Sequence, residues 1–310
     1  MIEQNMANQQ EFDVIIIGGS YAGLSAAMAL GRALKKVLVI DSGNPCNKQT
    51  PHSHNFLTQD GKTPKEISEL AKSQVANYDT VSFVNDVAIN GKKNTNGFEI
   101  TTQSEVTFQG RKLIFGTGVK DLIPDIEGFA ECWGISVIHC PYCHGYEVRN
   151  QKTGLFANGD MAFEFSKLLW NWTKDLTIYT NGKSTLSAEQ TNTLTGKNIN
   201  IVEKEIIKIT HENGQIQELI FKDGSAEKLA ALYAKIPFTQ HSDIPQSLGC
   251  EITEMGMLKV DMMQKTSVDG VFAAGDSTNM MRSVANAVYG GNMAGVAASK
   301  ELIAEDFEKA

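Results

Sequence analysis

One unit is written twice in this chain of 310 residues, and it limits the fold more than any other feature. Residues 13–41, DVIIIGGSYAGLSAAMALGRALKKVLVID, read as an apolar strand, a glycine turn, a helix of small residues and a second apolar strand ending in an acid. That order is the βαβ element of a dinucleotide-binding fold. Gly18 allows the tight turn, and Gly23 lets helix and strand pack closely. The helix N-terminus at the turn supplies unpaired N–H groups to a pyrophosphate. Asp41 falls where an acid hydrogen-bonds a ribose hydroxyl. The middle glycine of G-x-G-x-x-G is replaced by Ser20, whose side chain is small enough for the backbone still to come near a phosphate.

Sliding this segment forward by 139 positions lays Gly154–Thr180 over Ile15–Asp41 without a gap. Gly18 falls on Ala157, Ser20 on Gly159, Gly23 on Ala162 and Asp41 on Thr180. The second copy keeps strand, turn, helix and strand but has lost the first glycine and the acid. No arginine pair follows to grip a 2′-phosphate, since YTNGKSTLSAEQ supplies only Lys183. Two readings stay open: a nucleotide fold kept for packing after its ligand site decayed, or a working NAD(P)H site.

Around these units lie strand-rich stretches. Residues 98–118 look like a small antiparallel layer ending in an apolar strand and a glycine turn. Residues 198–225 alternate apolar and polar side chains and break at ENG and KDG, as hairpins do. Late in the chain, TSVDGVFAAGDS is a turn, a short apolar strand and Gly275-Asp276, with a small-residue helix from about Ser283. GVKDLIPDIEG (118–128) and FTQHSDIPQ (238–246) are polar, contain proline and flank the second unit. They read as two crossings of one hinge. The expected fold is therefore α/β, with two Rossmann-like three-layer nucleotide-binding domains, the second inserted into the first. Residues 1–121 and 246–310 form the discontinuous domain, and 122–245 the insertion.

The insertion carries HCPYCHGYE, His139 to Glu147. Cys140 and Cys143 have the C-x-x-C spacing of a redox dithiol, of half a zinc site or, with His144, of a c-type haem attachment. A tetrahedral zinc needs a second ligand pair, but the sequence holds no other C-x-x-C, and His139 and His144 flank the same loop too tightly to complete a four-ligand site; no metal is expected. Haem attachment happens outside the cytoplasm, whereas MIEQNMANQQEF has neither a basic n-region nor an apolar h-region. The expected location is cytoplasmic. Five scattered cysteines, an odd number, argue against a disulfide framework there. A net charge of −8 argues against nucleic acid or an anionic membrane as partner, and no continuous apolar run suits a membrane span.

The assembly resembles the low-molecular-weight thioredoxin reductase family of FAD-dependent pyridine-nucleotide-disulfide oxidoreductases. GGSYAG (18–23) with Asp41, FGTG (115–118), CPYC (140–143), the second turn (157–162) and VFAAGD (271–276) carry the likeness over nearly the whole chain. CPYC alone is also the glutaredoxin tetrapeptide, but that motif follows the first strand of a much shorter chain. The resemblance implies FAD on the first unit, held by Gly18, Gly19, Ser20, Ala22, Gly23, Asp41, Gly116, Thr117, Gly118, Gly275 and Asp276. It implies that Cys143 faces the flavin, that Cys140 exchanges with substrate, and that the chain is a homodimer.

His144 stands where thioredoxin reductases have a proton-moving Asp, and His139 is a second candidate. An imidazole has an unperturbed pKa of about 6.5, so it can accept a thiol proton near neutrality. CPYCHGYEVR (140–149) and HSHNFLTQDG (52–61) look like the thioredoxin-reductase-like dithiol oxidases of the gliotoxin and holomycin type. His52 and His54 then lie near the flavin or substrate, or else on a solvated loop. The expected activity is an FAD-dependent thiol–disulfide oxidoreductase that closes small dithiols without NADPH. The alternative is an NAD(P)H-dependent reductase of a thioredoxin-like partner.

Overall fold

An unbroken apolar run suits the middle of a parallel sheet, where both faces are covered. In this computed structural model, which describes residues 11–309, Val14, Ile15 and Ile16 are fully buried. The N-terminal polar stretch read for a leader lies outside the described residues except for Glu11 and Phe12. The first βαβ unit is β1 (Glu11–Ile17), α1 (Tyr21–Arg32) and β2 (Val37–Asp41). It is followed by α2 (Pro64–Val75) and β3 (Val81–Asn85). Then come β4 (Ala88–Asn94), β5 (Gly97–Thr102) and β6 (Thr107–Phe115). β3, β2, β1 and β6 lie parallel in that order, and β5 and β4 extend the sheet antiparallel. The stretch 98–118 is thus part of the main sheet rather than a separate layer, because β6 runs the full length of β1.

β7 (Val119–Asp121) leads into the second unit. There α3 (Phe129–Cys132), β8 (Val137–Ile138) and α4 (Pro141–His144) precede the repeated βαβ element. That element is β9 (Thr153–Phe156), α5 (Gly159–Leu169) and β10 (Leu176–Tyr179). After α6 (Ala188–Thr195) and β11 (Asn200–Val202) come β12 (Ile206–Glu212), β13 (Gln215–Phe221), β14 (Ala226–Lys228) and β15 (Ala231–Ala234). A parallel sheet of order β11-β10-β9-β15-β8 carries the nucleotide-type topology, and β12-β13-β14 is an antiparallel meander. Asn213 (φ 50°) and Gly214 (φ 80°) both take the left-handed conformation that a two-residue hairpin turn requires.

The chain returns through β16 (Phe238–Gln240), paired with β7, and α7 (Ile244–Ser247). β17 (Val271–Ala273) then joins the first sheet beside the C-terminal half of β6. The closing helix α8 (Val284–Lys309) packs on α1 so closely that a Cβ on Gly291 would lie 2.0 Å from Ala22 O. None of the described helices is long and apolar enough to cross a membrane.

Two compact units result, and their limits differ from those expected. One comprises the chain up to Lys48, Lys65–Lys120 and the chain from Phe238; the other comprises Gln49–Pro64 and Asp121–Pro237. Residues 238–245 stay with the first unit because Ile244 is buried in its core and Gln240 Nε2 donates to Gly256 O and Ser277 O. The segment Gln49–Pro64 groups with the dithiol unit, although in sequence it interrupts the first.

β6 also buries a charge. The side chain of Lys112 is 7% exposed, with Nζ 3.0 Å from Glu301 and 2.6 Å from Glu305 on α8. Arg111 pairs with Asp13, Glu305 and Asp306, and Lys35 also reaches Asp306. Burial opposes ionisation of Glu305, but hydrogen bonds from Lys112 and Arg111 prevail and hold it below the usual carboxylate range. Lys35 and Arg111 hold Asp306 down likewise. Groups depressed in the folded state contribute fully above the ordinary carboxylate pKa of about 4 and lose their contribution as pH falls through the lower folded value. The thermal midpoint should therefore fall on acidification below about pH 4. A Glu305→Gln, Asp306→Asn double variant should show a shallower fall in the same melting series; an equal slope would refute the assignment.

Candidate functional site

Proline at its first position makes α4 a short, well-defined turn. Cys140 precedes it in extended geometry, and its carbonyl accepts from Cys143 N at 3.2 Å and His144 N at 3.3 Å. The turn brings Cys140 and Cys143 together as thiols rather than as a disulfide. A hydrogen bond from Cys143 is the main reason that the Cys140 thiol is pulled down to about 7. The amides of Cys143 and Tyr142 and the Lys235 charge act in the same sense, against burial. A thiol in that range is substantially thiolate at neutral pH.

His144 is half-buried, and its two ring nitrogens are shielded from solvent without a hydrogen-bond partner. Burial pushes its pKa below the ordinary histidine value; Glu147 opposes that shift and His54 adds to it. The imidazole is thus neutral and open to a proton near pH 7. The Tyr233 hydroxyl at the end of β15 is buried without a hydrogen-bond partner. Its pKa is raised by burial and by the charges of Cys140, Glu147 and Cys143. Tyr142 is exposed, with its ring edge-on to Trp172 at 5.3 Å. His139 follows β8 with its ring 6.0 Å from Trp133. His52 Nδ1 is 3.0 Å from Gly61 O, while His54 faces Glu147. Sequence reasoning missed Tyr233, Lys235 and Glu147; only Glu147 carries a signal, three residues beyond His144 on a turn. Among the described residues, no group of three or more His, Cys, Asp and Glu is placed to hold a metal.

In the first unit the glycine turn is closed by backbone contact. Gly18 (φ 101°) donates to Ile40 O at 2.8 Å, and Gly19 N donates to Asp41 Oδ1 at 2.9 Å. A Cβ on Gly18 would lie 2.4 Å from Gly116 O, and one on Gly23 would lie 1.8 Å from Gly18 O. Ser20 is extended at the N-cap of α1, and its side chain caps nothing. Gly116 N donates to Ile17 O at 2.8 Å, and the buried Thr117 Oγ1 has no hydrogen-bond partner. Gly275 (φ 84°) lies against Ala22, and Asp276 is met by Arg282 Nε at 3.4 Å. The turn, Asp41, the Gly116 segment and Gly275 are therefore gathered at the start of α1. An uncapped helix terminus, bare backbone and an orphaned hydroxyl fit FAD, whose pyrophosphate needs donors and close approach.

The second turn is closed by side chains. Asn158 Oδ1 accepts from Gly159 N at 2.8 Å, Thr185 N at 2.9 Å and Thr185 Oγ1 at 3.2 Å, and its Nδ2 donates to Lys183 O at 3.0 Å. Asp160, in the first turn of α5, accepts from Gln190 Nε2 at 2.7 Å. The loop after β10 is thereby tied across the N-terminus of α5, with the Asp160 carboxylate in the first turn of that helix.

Residues 12–291 match the pyridine nucleotide-disulphide oxidoreductase family. Thioredoxin reductase tcpT of Claviceps purpurea (strain 20.1) is 36% identical over 97% of this chain and 97% of its own. Thioredoxin reductase sirT of Leptosphaeria maculans is 32% identical over 95% of each chain. The crystal structure of an oxidoreductase from Agrobacterium tumefaciens superposes with a TM-score of 0.88 at 38% identity, over 95% of this chain and 99% of that one. HlmI superposes with a TM-score of 0.90 at 28% identity, over 96% and 95%.

Proposed function

Since this chain belongs to the pyridine nucleotide-disulphide oxidoreductases, as a thioredoxin reductase-like flavoprotein that binds FAD, we propose that it closes small dithiols to disulfides without drawing on NADPH. The observation that carries this reading is the second turn, where Asn158 caps Gly159 N and holds Thr185, and Asp160 holds Gln190, at the start of α5. The decayed-site reading is favoured over a working NAD(P)H site for that reason. Gly18, Gly19, Ser20, Ala22, Gly23, Asp41, Gly116, Thr117, Gly118, Gly275 and Asp276 hold the FAD of the first unit, and the second unit carries the dithiol. When bound, FAD supplies the two-electron acceptor that returns the cysteine pair to its disulfide.

This chain's own residues manage thiols and protons. A substrate thiolate attacks the sulfur of Cys140 in the oxidised pair; the Cys140–Cys143 bond breaks and Cys143 leaves as thiolate. The second substrate thiol gives its proton to His144, and its sulfur attacks the first substrate sulfur, expelling Cys140. The low pKa of Cys140 makes it a good leaving group for that step. The substrate departs as a disulfide, two electrons poorer, and the enzyme pair is reduced by those two electrons. A homodimer in the cytoplasm is the setting that the resemblance and the sequence support.

Anaerobic mixing tests the reading. Dithiothreitol should bleach the flavin band, while NADPH and NADH, each in excess, should leave it oxidised over the same interval. Rapid bleaching by NADPH, with steady insulin reduction through thioredoxin, would establish the reductase alternative instead.

A further inference from the structure

The segment 49–64 is carried by the dithiol unit and closes on itself. Ser53 N donates to Lys62 O at 2.7 Å, Gly61 N to Ser53 O at 2.9 Å, and Asn55 N to Asp60 Oδ1 at 2.7 Å. Its fit against Gly134 is tight: a Cβ there would lie 3.2 Å from Thr50 Oγ1 and 3.3 Å from Gln49 Nε2. The His54 ring consequently stands between two carboxylates. Nδ1 is 3.6 Å from Asp60 Oδ1, and Nε2 is 3.6 Å from Glu147 Oε1. Glu147 follows the α4 turn that carries His144, whose ring nitrogens are shielded and have no hydrogen-bond partner.

We propose that His54 and Glu147 are positioning residues for His144: the loop brings an imidazole, and the chain after α4 a carboxylate, to the turn that carries one shielded ring, and together they decide how readily it takes a thiol proton. This rests on the dithiol-oxidase reading. In the step concerned an S–H bond breaks and an N–H bond forms, leaving a thiolate and an imidazolium, and no electrons change hands. Glu147 favours the imidazolium and His54 disfavours it. His54 also engages the carboxylate of Glu147, so removing His54 both lifts a repulsion and frees an attraction. The other titratable or charged groups around the site are the thiols of Cys140 and Cys143, the Tyr233 phenol of β15, Lys235, and Asp60 behind His54.

The test is a pH titration of the FAD-bound protein, labelled at histidine Cε1 and followed by NMR, with His144→Gln assigning one of the six histidines. Glu147→Gln should move the His144 midpoint down and His54→Gln should move it up, each by at least about half a pH unit, as for removal of a nearby charge. His54→Asn, which disturbs the loop differently, should move it in the same direction as His54→Gln. A midpoint unmoved by either change, or moved the same way by both Gln substitutions, would overturn the proposal. Opposed shifts in a protein that bleaches with NADPH would uphold the pairing and sink the oxidase reading. Normal dithiol oxidation with an unmoved midpoint would sink the pairing alone.

Discussion

Replacing Cys140 with serine should lower the rate of dithiothreitol oxidation at least about a thousandfold while the protein stays yellow, since a nucleophile's loss removes the whole covalent route. Serine keeps the volume and the N-cap geometry before Pro141 but offers an alcohol, which forms no disulfide. The substitution also isolates the electrostatics of the turn. In the reduced wild type, iodoacetamide should alkylate Cys140 with an inflection near pH 7, the value to which Cys143, the Cys143 and Tyr142 amides and Lys235 bring it. The Cys140→Ser protein should lose that inflection. Oxygen uptake and thiol titration read the turnover, and the visible flavin band reads cofactor retention. Persistent turnover in the serine variant would remove Cys140 from the chemistry.

The second large effect is expected at Gly23. An alanine there would put its Cβ 1.8 Å from the carbonyl oxygen of Gly18. Both atoms belong to rigid parts, a helix turn and a strand end, so neither can swing aside as a side-chain tip would. Relief requires α1 to move off β1, and overpacking of this kind costs about 3 kcal/mol. The same movement opens the turn formed by Gly18, Gly19 and Ser20. Gly23→Ala should therefore melt markedly lower and purify with most of its FAD missing. Gly61→Ala is the control: a Cβ there meets nothing within 4 Å, though its φ of 81° still strains an alanine. A Gly23→Ala protein with full flavin content would show that the turn does not hold the cofactor.

Both predictions concern features already visible in the letters. GGSYAG between two apolar runs reads directly as a turn because its constraints are local: glycine sterics and a helix start within a few residues. ENG at 212–214 is equally local, and the hairpin formed there. Other features were hidden for the opposite reason. Thr185 and Gln190 close the second turn from 27 and 30 residues away, through hydrogen bonds to Asn158 and Asp160 that no spacing rule anticipates. Lys112 looks like an ordinary charge at the start of an apolar strand end, yet it is buried because Glu301 and Glu305 arrive from the last helix. The boundary near residue 245 was misplaced because Asp243-Ile244-Pro245 reads as linker, whereas Ile244 is a core residue.

By itself, the amino-acid order determined two nucleotide-type units, the glycine turn that fits FAD, and a C-x-x-C in the inserted part. Each follows from sterics and hydrogen bonding among neighbours in the chain. Tertiary structure alone decided that the loop 49–64 joins the dithiol unit, that His54 meets Glu147 just after the turn carrying His144, and that Asn158 ties the loop after β10 to the start of α5. Those outcomes depend on which distant side chains share a buried, low-dielectric neighbourhood, where a charge or an unpaired donor counts for far more than it does in water.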